Sequence, residues 1–164
     1  MGGGILPIAI KDNTLYFLFG KEVWDKKWSD FGGGREKNES ALQTAVREGC
    51  EESNGFFGLE TEVKNTLLNH SLKLVYETYT LYIFKIDYDD NLPKYFSNNH
   101  KFIRKHFPNK VKENNGFFEK SEVKWWTVHE MRNNIYKFRP FYREIIRELI
   151  ERNKDIKNKI DTLR

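Results

Sequence analysis

Between Gly32 and Gly55 the chain reads GGGREKNESALQTAVREGCEESNG, and no other stretch limits its folding options as much. Residues 39–53 lack proline and have helix-compatible spacing, so they predict a helix entered from a flexible glycine turn. On that helix Glu48, Glu51 and Glu52 stand at i, i+3 and i+4, with their carboxylates on one face within about one turn. Like charges that close repel unless solvent spreads them, a cation neutralises them or one takes up a proton. Two readings follow. One is a solvated acidic face. The other is a site for a hard divalent cation such as Mg2+ or Mn2+, which prefers oxygen ligands and keeps waters that phosphate oxygens can replace. Glycines ahead of the helix favour the second, because bare backbone can approach a metal or a phosphate. Arg47, next to the cluster, can orient a carboxylate through a forked pair of hydrogen bonds.

The rest of the chain supplies an α/β frame. With 164 residues, 38% of them hydrophobic and 15% aromatic, it can bury one core, and a single domain over 1–164 is expected. Residues 5–10 and 15–19 are apolar runs on either side of Lys11, Asp12 and Asn13, and predict a β-hairpin with an Asp-Asn turn. Further strands are expected at 67–75 and 79–86, and a late one within 117–128. Residues 88–116 turn polar and basic and predict an insertion, with a helix at about 95–107 that packs Phe96, Ile103 and Phe107. Residues 140–152 predict an amphipathic helix through Phe141, Ile145, Leu149 and Arg152. The last residues, KDIKNKIDTLR, extend that helix or fray.

No apolar run approaches the roughly 20 residues of a membrane span, and no basic segment precedes the first apolar stretch. The MGGG start meets only the beginning of an acylation pattern, since Leu6 stands where Ser or Thr is wanted. A single cysteine, Cys50, makes no internal disulfide and suits a reducing compartment, so a cytoplasmic location is expected. Net charge of +4 and a pI near 9.0 favour an anionic partner without specifying nucleic acid.

The pattern around the acidic helix resembles the Nudix box, G-x5-E-x7-R-E-U-x-E-E-x-G-U with U aliphatic. Gly33, Glu39, Arg47, Glu48, Glu51 and Glu52 fall at its spacings without a gap. Gly49 departs from it at an aliphatic position, and Asn54 followed by Gly55 stands where Gly and an aliphatic residue belong. Asn tolerates the left-handed backbone that closes a helix. The resemblance implies a Nudix-type α/β/α sandwich with a mixed central sheet, and hydrolysis of a diphosphate linkage by an Mg2+- or Mn2+-dependent enzyme. It implies Glu48, Glu51, Glu52 and the Gly32 carbonyl as metal ligands, Glu48 and Glu52 as catalytic, and Glu39 and Arg47 as orienting residues. A further ligand or base is expected before a late Trp-containing strand. In FFEKSEVKWWTVHEM, Trp125 matches that Trp, so Glu119 is the first choice and Glu122 the second.

Substrate choice must come from outside the box. The sequence around it looks similar to Nudix proteins of large DNA viruses, including decapping enzymes, which implies the 5′ mRNA cap as substrate and, for a viral protein, the host cytoplasm. Lys101, Arg104 and Lys105, interleaved with Phe102 and Phe107 and followed by Lys110 and Lys112, either track an RNA backbone or form a solvated basic face. Trp24, Trp28 and Phe31 offer rings for stacking on a base or for core packing. Diphosphoinositol polyphosphates, nucleoside triphosphates and ADP-ribose are rival substrates. A Nudix-fold module that binds RNA or nucleotide without turnover is the alternative of another class.

Overall fold

The computed structural model describes residues 1–112 and 116–163. Positions 113–115 of the expected basic segment, and the last residue of the expected C-terminal extension, lie outside the described residues. β1 (Gly2–Lys11) and β2 (Thr14–Glu22) form the predicted hairpin, with Ile8 opposite Phe17 and Lys11 opposite Thr14. Asp12 and Asn13 have φ of 49° and 63°, the paired left-handed geometry whose twist suits a two-residue hairpin. β3 (Trp28–Ser29) pairs with β2 and β4 (Phe31–Gly34) with β1. After α1 (Ala41–Glu52) and α2 (Glu60–Asn69) come β5 (Ser71–Tyr76) and β6 (Tyr79–Lys85), and β6 runs parallel to β1. α3 (Leu92–His106) and α4 (Pro108–Lys112) precede β7 (Lys120–Thr127), which closes on β2 in antiparallel register. α5 (Val128–Asn133), α6 (Arg143–Glu151) and α7 (Asn153–Ile160) complete the chain.

The sheet is mixed and buried on both faces, which explains why β1 and β2 read as nearly continuous apolar runs. Alternation sorts their side chains into two layers. Ile5, Ala9 and Leu18 pack with Ala45, Val63 and Phe96 from α1, α2 and α3. Leu6, Ile8 and Phe17 pack with Ile145, Leu149 and Ile156 from α6 and α7. The expected α/β/α sandwich is therefore present.

Several local expectations need correction. Gly32, Gly33 and Gly34 form a strand, not a turn, and pair with Gly4, Gly3 and Gly2. Their bareness serves close approach instead: a Cβ on Gly33 would lie 2.5 Å from the Glu48 carboxyl carbon. The α1 helix begins after Ser40, whose hydroxyl accepts from Gln43 N while the Gln43 side chain accepts from Ser40 N, so Glu39 lies outside it. Residues 67–69 belong to α2, where Val63 and Leu67 make a two-residue apolar stripe too short to distinguish from a strand. Phe107 is exposed at the end of α3, and its buried residues are Phe96 and His100. Phe141 lies exposed in a 3-10 turn ahead of α6, and the C-terminal stretch forms a separate helix that buries Ile156 and Ile160.

Gly49 is accounted for by packing. A Cβ there would meet Ile5 Cδ1 at 2.5 Å, so its absence lets α1 press against β1. Gly49→Ala gains about 1 kcal/mol of helix propensity but overpacks the core at a cost of about 1–3 kcal/mol. We expect Tm to fall by roughly 2–4 °C in thermal unfolding; a rise would show that Ile5 yields without cost.

Candidate active site

Glu52 is the innermost carboxylate of α1. It is 3% exposed, and its Oε2 accepts a hydrogen bond from Gly32 N at 2.7 Å, which ties the helix to the glycine strand. Burial raises its pKa well above the ordinary value, against the pull of Lys120, whose Nζ lies 3.4 Å away. Glu48 and Glu51 are half-buried, and burial raises both, against the pull of Arg47. Arg47 is the hub of this edge. It donates to both oxygens of Glu39 at 2.8 and 3.1 Å, to Glu48 at 2.9 Å, to Glu51 at 3.2 Å and to the Gly34 carbonyl at 3.2 Å. Its fork holds the Glu39 carboxyl down to about 2.

The tightest convergence of carboxylates differs from the one on the helix face. Among the described residues, oxygens of Glu22, Glu52 and Glu119 lie within 4.8 Å of one another. Glu119 is brought there by the turn ahead of β7. Its carbonyl accepts from Val23 N at 2.9 Å, and Phe118 N donates to Asn54 Oδ1 at 2.9 Å. Asn54 has φ 53°, so the residue that departs from the box closes α1 in the left-handed conformation and anchors the Glu119 turn with its side chain. Glu122 lies opposite Lys21 on the other face of the sheet, is exposed, and pairs with Lys21 at 3.1 Å, outside the acidic cluster.

Sequence reasoning missed Glu22, Lys120 and Ser29. Lys120 Nζ bonds Glu22 Oε1 and donates to Ser29 Oγ at 2.8 Å, while Arg139 donates to Glu22 at 3.2 Å. Burial alone would lower the Lys120 pKa, but the carboxylates of Glu52 and Glu22 raise it, so it is an ammonium. Glu22 could have been found, because alternation along β2 places it on the Leu18 face, toward α1. Lys120 could not. Glu122 pairs with Lys21 and Lys120 with Glu22, so Ser121 is an extra residue, a bulge that turns Lys120 to the α1 side. Behind this group, Asp30 is 2% exposed and accepts from the Tyr79 hydroxyl at 2.7 Å; burial pushes its carboxyl up to about 7.

All donors in this cluster are oxygens, the chemistry that hard divalent cations require. Each of Glu48 and Glu51 gives one oxygen to Arg47, and Glu52 turns Oε2 inward to Gly32, so each keeps a second oxygen for a cation. The residues present therefore fit a divalent metal. Beside them a cleft of about 400 Å3 opens between β4, the start of β6 and the approach to α6, lined by Gly33, Tyr79, Arg139, Phe141 and Ile145. The Arg139 guanidinium lies 5.0 Å from the centre of the Phe141 ring.

Of the three rings ahead of the glycines, Trp24 alone is exposed, at 85%, and it lines a groove with Val111, Phe117 and Glu119. Trp28 and Phe31 are corrected to core residues: Trp28 packs edge-on to Trp126 and Phe31 edge-on to Phe57. Lys101, Arg104 and Lys105 are exposed on α3, which carries no acidic residue. No helix among the described residues is long and apolar enough to cross a membrane.

Residues 8–149 match the family model described as NUDIX domain. The fold is similar to that of an Ap4A hydrolase of C. elegans in a binary complex, with a TM-score of 0.57 and 16% identity over 96% of this chain and 97% of that one. It is also similar to the Nudix hydrolase RenU of M. smegmatis, with a TM-score of 0.55 and 15% identity over 94% and 86% of the two chains. A bifunctional NMN adenylyltransferase/ADP ribose pyrophosphatase of Francisella tularensis, complexed with AMP and a Mn ion, gives 0.54 and 18% over 91% of this chain and 41% of that one. Identities this low speak for the fold alone. No curated protein matches the sequence. The family match spans most of the chain and includes the box, and on that basis the chain belongs to the Nudix family and is a Nudix hydrolase.

Proposed function

We propose that this enzyme, acting as one domain, hydrolyses a diphosphate linkage in a nucleoside-diphosphate-linked substrate, and that its preferred substrate is the 5′ cap of mRNA in the cytoplasm. The observation that carries the reaction is the gathering of Glu52, Glu119 and Glu22 within 4.8 Å, with Glu48 and Glu51 held alongside by Arg47. Glu48, Glu51, Glu52, Glu119 and the Gly32 carbonyl are the residues that would hold Mg2+ or Mn2+. Such an ion supplies polarisation of phosphoryl oxygens and acidification of a bound water. Glu39 sets Arg47, and Arg47 sets the two outer carboxylates. Glu119 or Glu48 takes the proton of the attacking water, a role that requires hydrogen-bond reach of that water. Arg139 stands between the cleft and Glu22, where it can bind a phosphate whose nucleoside lies along Phe141 and Tyr79.

The preference for a polynucleotide rests on α3. Its exposed Lys101, Arg104 and Lys105 accompany exposed Phe102, and Trp24 leads from the α4 end toward Glu119. Basic groups beside stackable rings suit a single-stranded backbone. On this reading the basic segment within 88–116 is an insertion that selects the substrate.

The test is a hydrolysis panel with Mg2+ and Mn2+, using capped RNA, free cap analogue, diphosphoinositol phosphates, nucleoside triphosphates and ADP-ribose. We expect release of 7-methylguanosine diphosphate from capped RNA. Joint replacement of Lys101, Arg104 and Lys105 by Ala should slow RNA turnover by about tenfold or more at low salt and spare the free analogue. Faster turnover of a free nucleotide or a diphosphoinositol phosphate would replace the cap as substrate. Binding of RNA with no turnover of any member would leave the fold as a recognition module.

A further inference from the structure

Lys120 is the first residue of β7 and is fully buried. An ammonium has three protons to donate, and three acceptors surround this one: Glu22 Oε1, Ser29 Oγ at 2.8 Å and Glu52 Oε2 at 3.4 Å. The backbone is arranged to deliver it. The bulge at Ser121 turns the side chain toward α1, and Gly20 clears its path, since a Cβ there would lie 2.9 Å from Lys120 Cδ. Glu22, Ser29 and Lys120 come from three neighbouring strands, and Glu52 from the helix above them. A buried charge is tolerated only when it is paired and hydrogen-bonded, and here the pairing is with the carboxylates of the acidic cluster itself.

We propose that Lys120 is a tethered cation of the metal site, filling the inner end of the acidic cluster between Glu22 and Glu52 where a further divalent ion would otherwise bind. It acts as a positioning residue: by holding Glu52 Oε2 inward together with Gly32 N, it leaves Oε1 as the oxygen presented to a metal. It also neutralises Glu22, which Arg139 approaches from the other side at 3.2 Å, so metals are confined to the outer group of Glu48, Glu51, Glu52 and Glu119. The inference rests on the reading of this cluster as a metal site.

The experiment measures Mn2+ bound per full-length chain, without substrate, by electron paramagnetic resonance and titration calorimetry, for the wild type and Lys120→Met. We expect the variant to bind one more Mn2+ than the wild type, with dipolar broadening from ions held close together. Where Lys120→Met is unfolded without metal, Mn2+ should restore its circular dichroism, as a divalent ion takes over the charge of the ammonium. Equal stoichiometry and affinity in the two proteins overturn the inference and leave the metal site standing. Failure of Mn2+ to refold an unfolded variant also overturns it. No Mn2+ on either protein overturns the metal-site reading and this inference with it. Mn2+ on the variant alone leaves the wild type without the outer metal site on which the inference rests, and so overturns it.

Discussion

Glu52→Gln is expected to lower kcat by roughly a thousandfold, about 4 kcal/mol of transition-state stabilisation, with the fold intact. The glutamine carbonyl can still accept from Gly32 N, so α1 stays against the glycine strand, but the negative charge that would hold a metal is gone. Steady-state kinetics with Mg2+ or Mn2+, beside circular dichroism, checks it; a loss under tenfold would remove Glu52 from the ligand set. The substitution has a pH signature without metal. Burial raises the pKa of Glu52, so above about 4.5 the native state holds a proton that the unfolded chain has released. Stability then falls as pH rises. Asp30, pushed up from 3.8 to about 7, adds to the same slope across that window. Glutamine does not titrate, so urea unfolding of metal-free Glu52→Gln should show a shallower decline with pH than the wild type.

Arg47→Ala should be strongly destabilising. It strands Glu39, Glu48 and Glu51, and removes the bond to the Gly34 carbonyl. Breaking a buried pair costs about 3–5 kcal/mol; because this site is partly solvated, we expect about 3 kcal/mol. That corresponds to a Tm lower by roughly 6–12 °C. Arg47→Lys should fall between, since an ammonium keeps the charge and loses the fork. The sign with pH is opposite to that of Glu52. Arg47 holds Glu39 down to about 2 from 4.5, so this pair contributes its full stability above 4.5 and loses it as pH falls toward 2. The deficit of Arg47→Ala should therefore narrow over that interval. A Tm change under 2 °C at neutral pH would mean that water replaces the guanidinium at little cost.

The features legible in the sequence were those whose cause is local. Asp12-Asn13 fixes the first hairpin and Asn54 closes α1, each through its own backbone; the Ser40–Gln43 cap that starts α1 is as local a signal, yet the helix was expected to begin at Glu39. The box residues were legible by resemblance, but that Arg47 pairs with Glu39 as well as Glu48 was read only from the structure. What escaped depended on partners distant in the chain. Val63 and Leu67 acquire meaning as a helix only against α1 and the sheet, and the glycines of β4 only against Gly2, Gly3 and Gly4. The basic face and Trp24 were visible as composition, while the separation of Trp24 from Trp28 and Phe31 required knowing which rings the sheet buries. Lys120 was hidden because alternation, the rule that assigns strand residues to faces, fails at the residue where a bulge lies.

That bulge also bears on how this chain should be set beside others. With Trp125 and Trp126 as anchors, a relative lacking the extra residue has the partner of its Glu22 counterpart one place later, in the column of Ser121. An ungapped alignment would then compare Lys120 with a residue that looks into the opposite layer. A lysine doing the same work elsewhere in the family would be overlooked in column 120, and a variable column there would say nothing about whether the buried charge is retained.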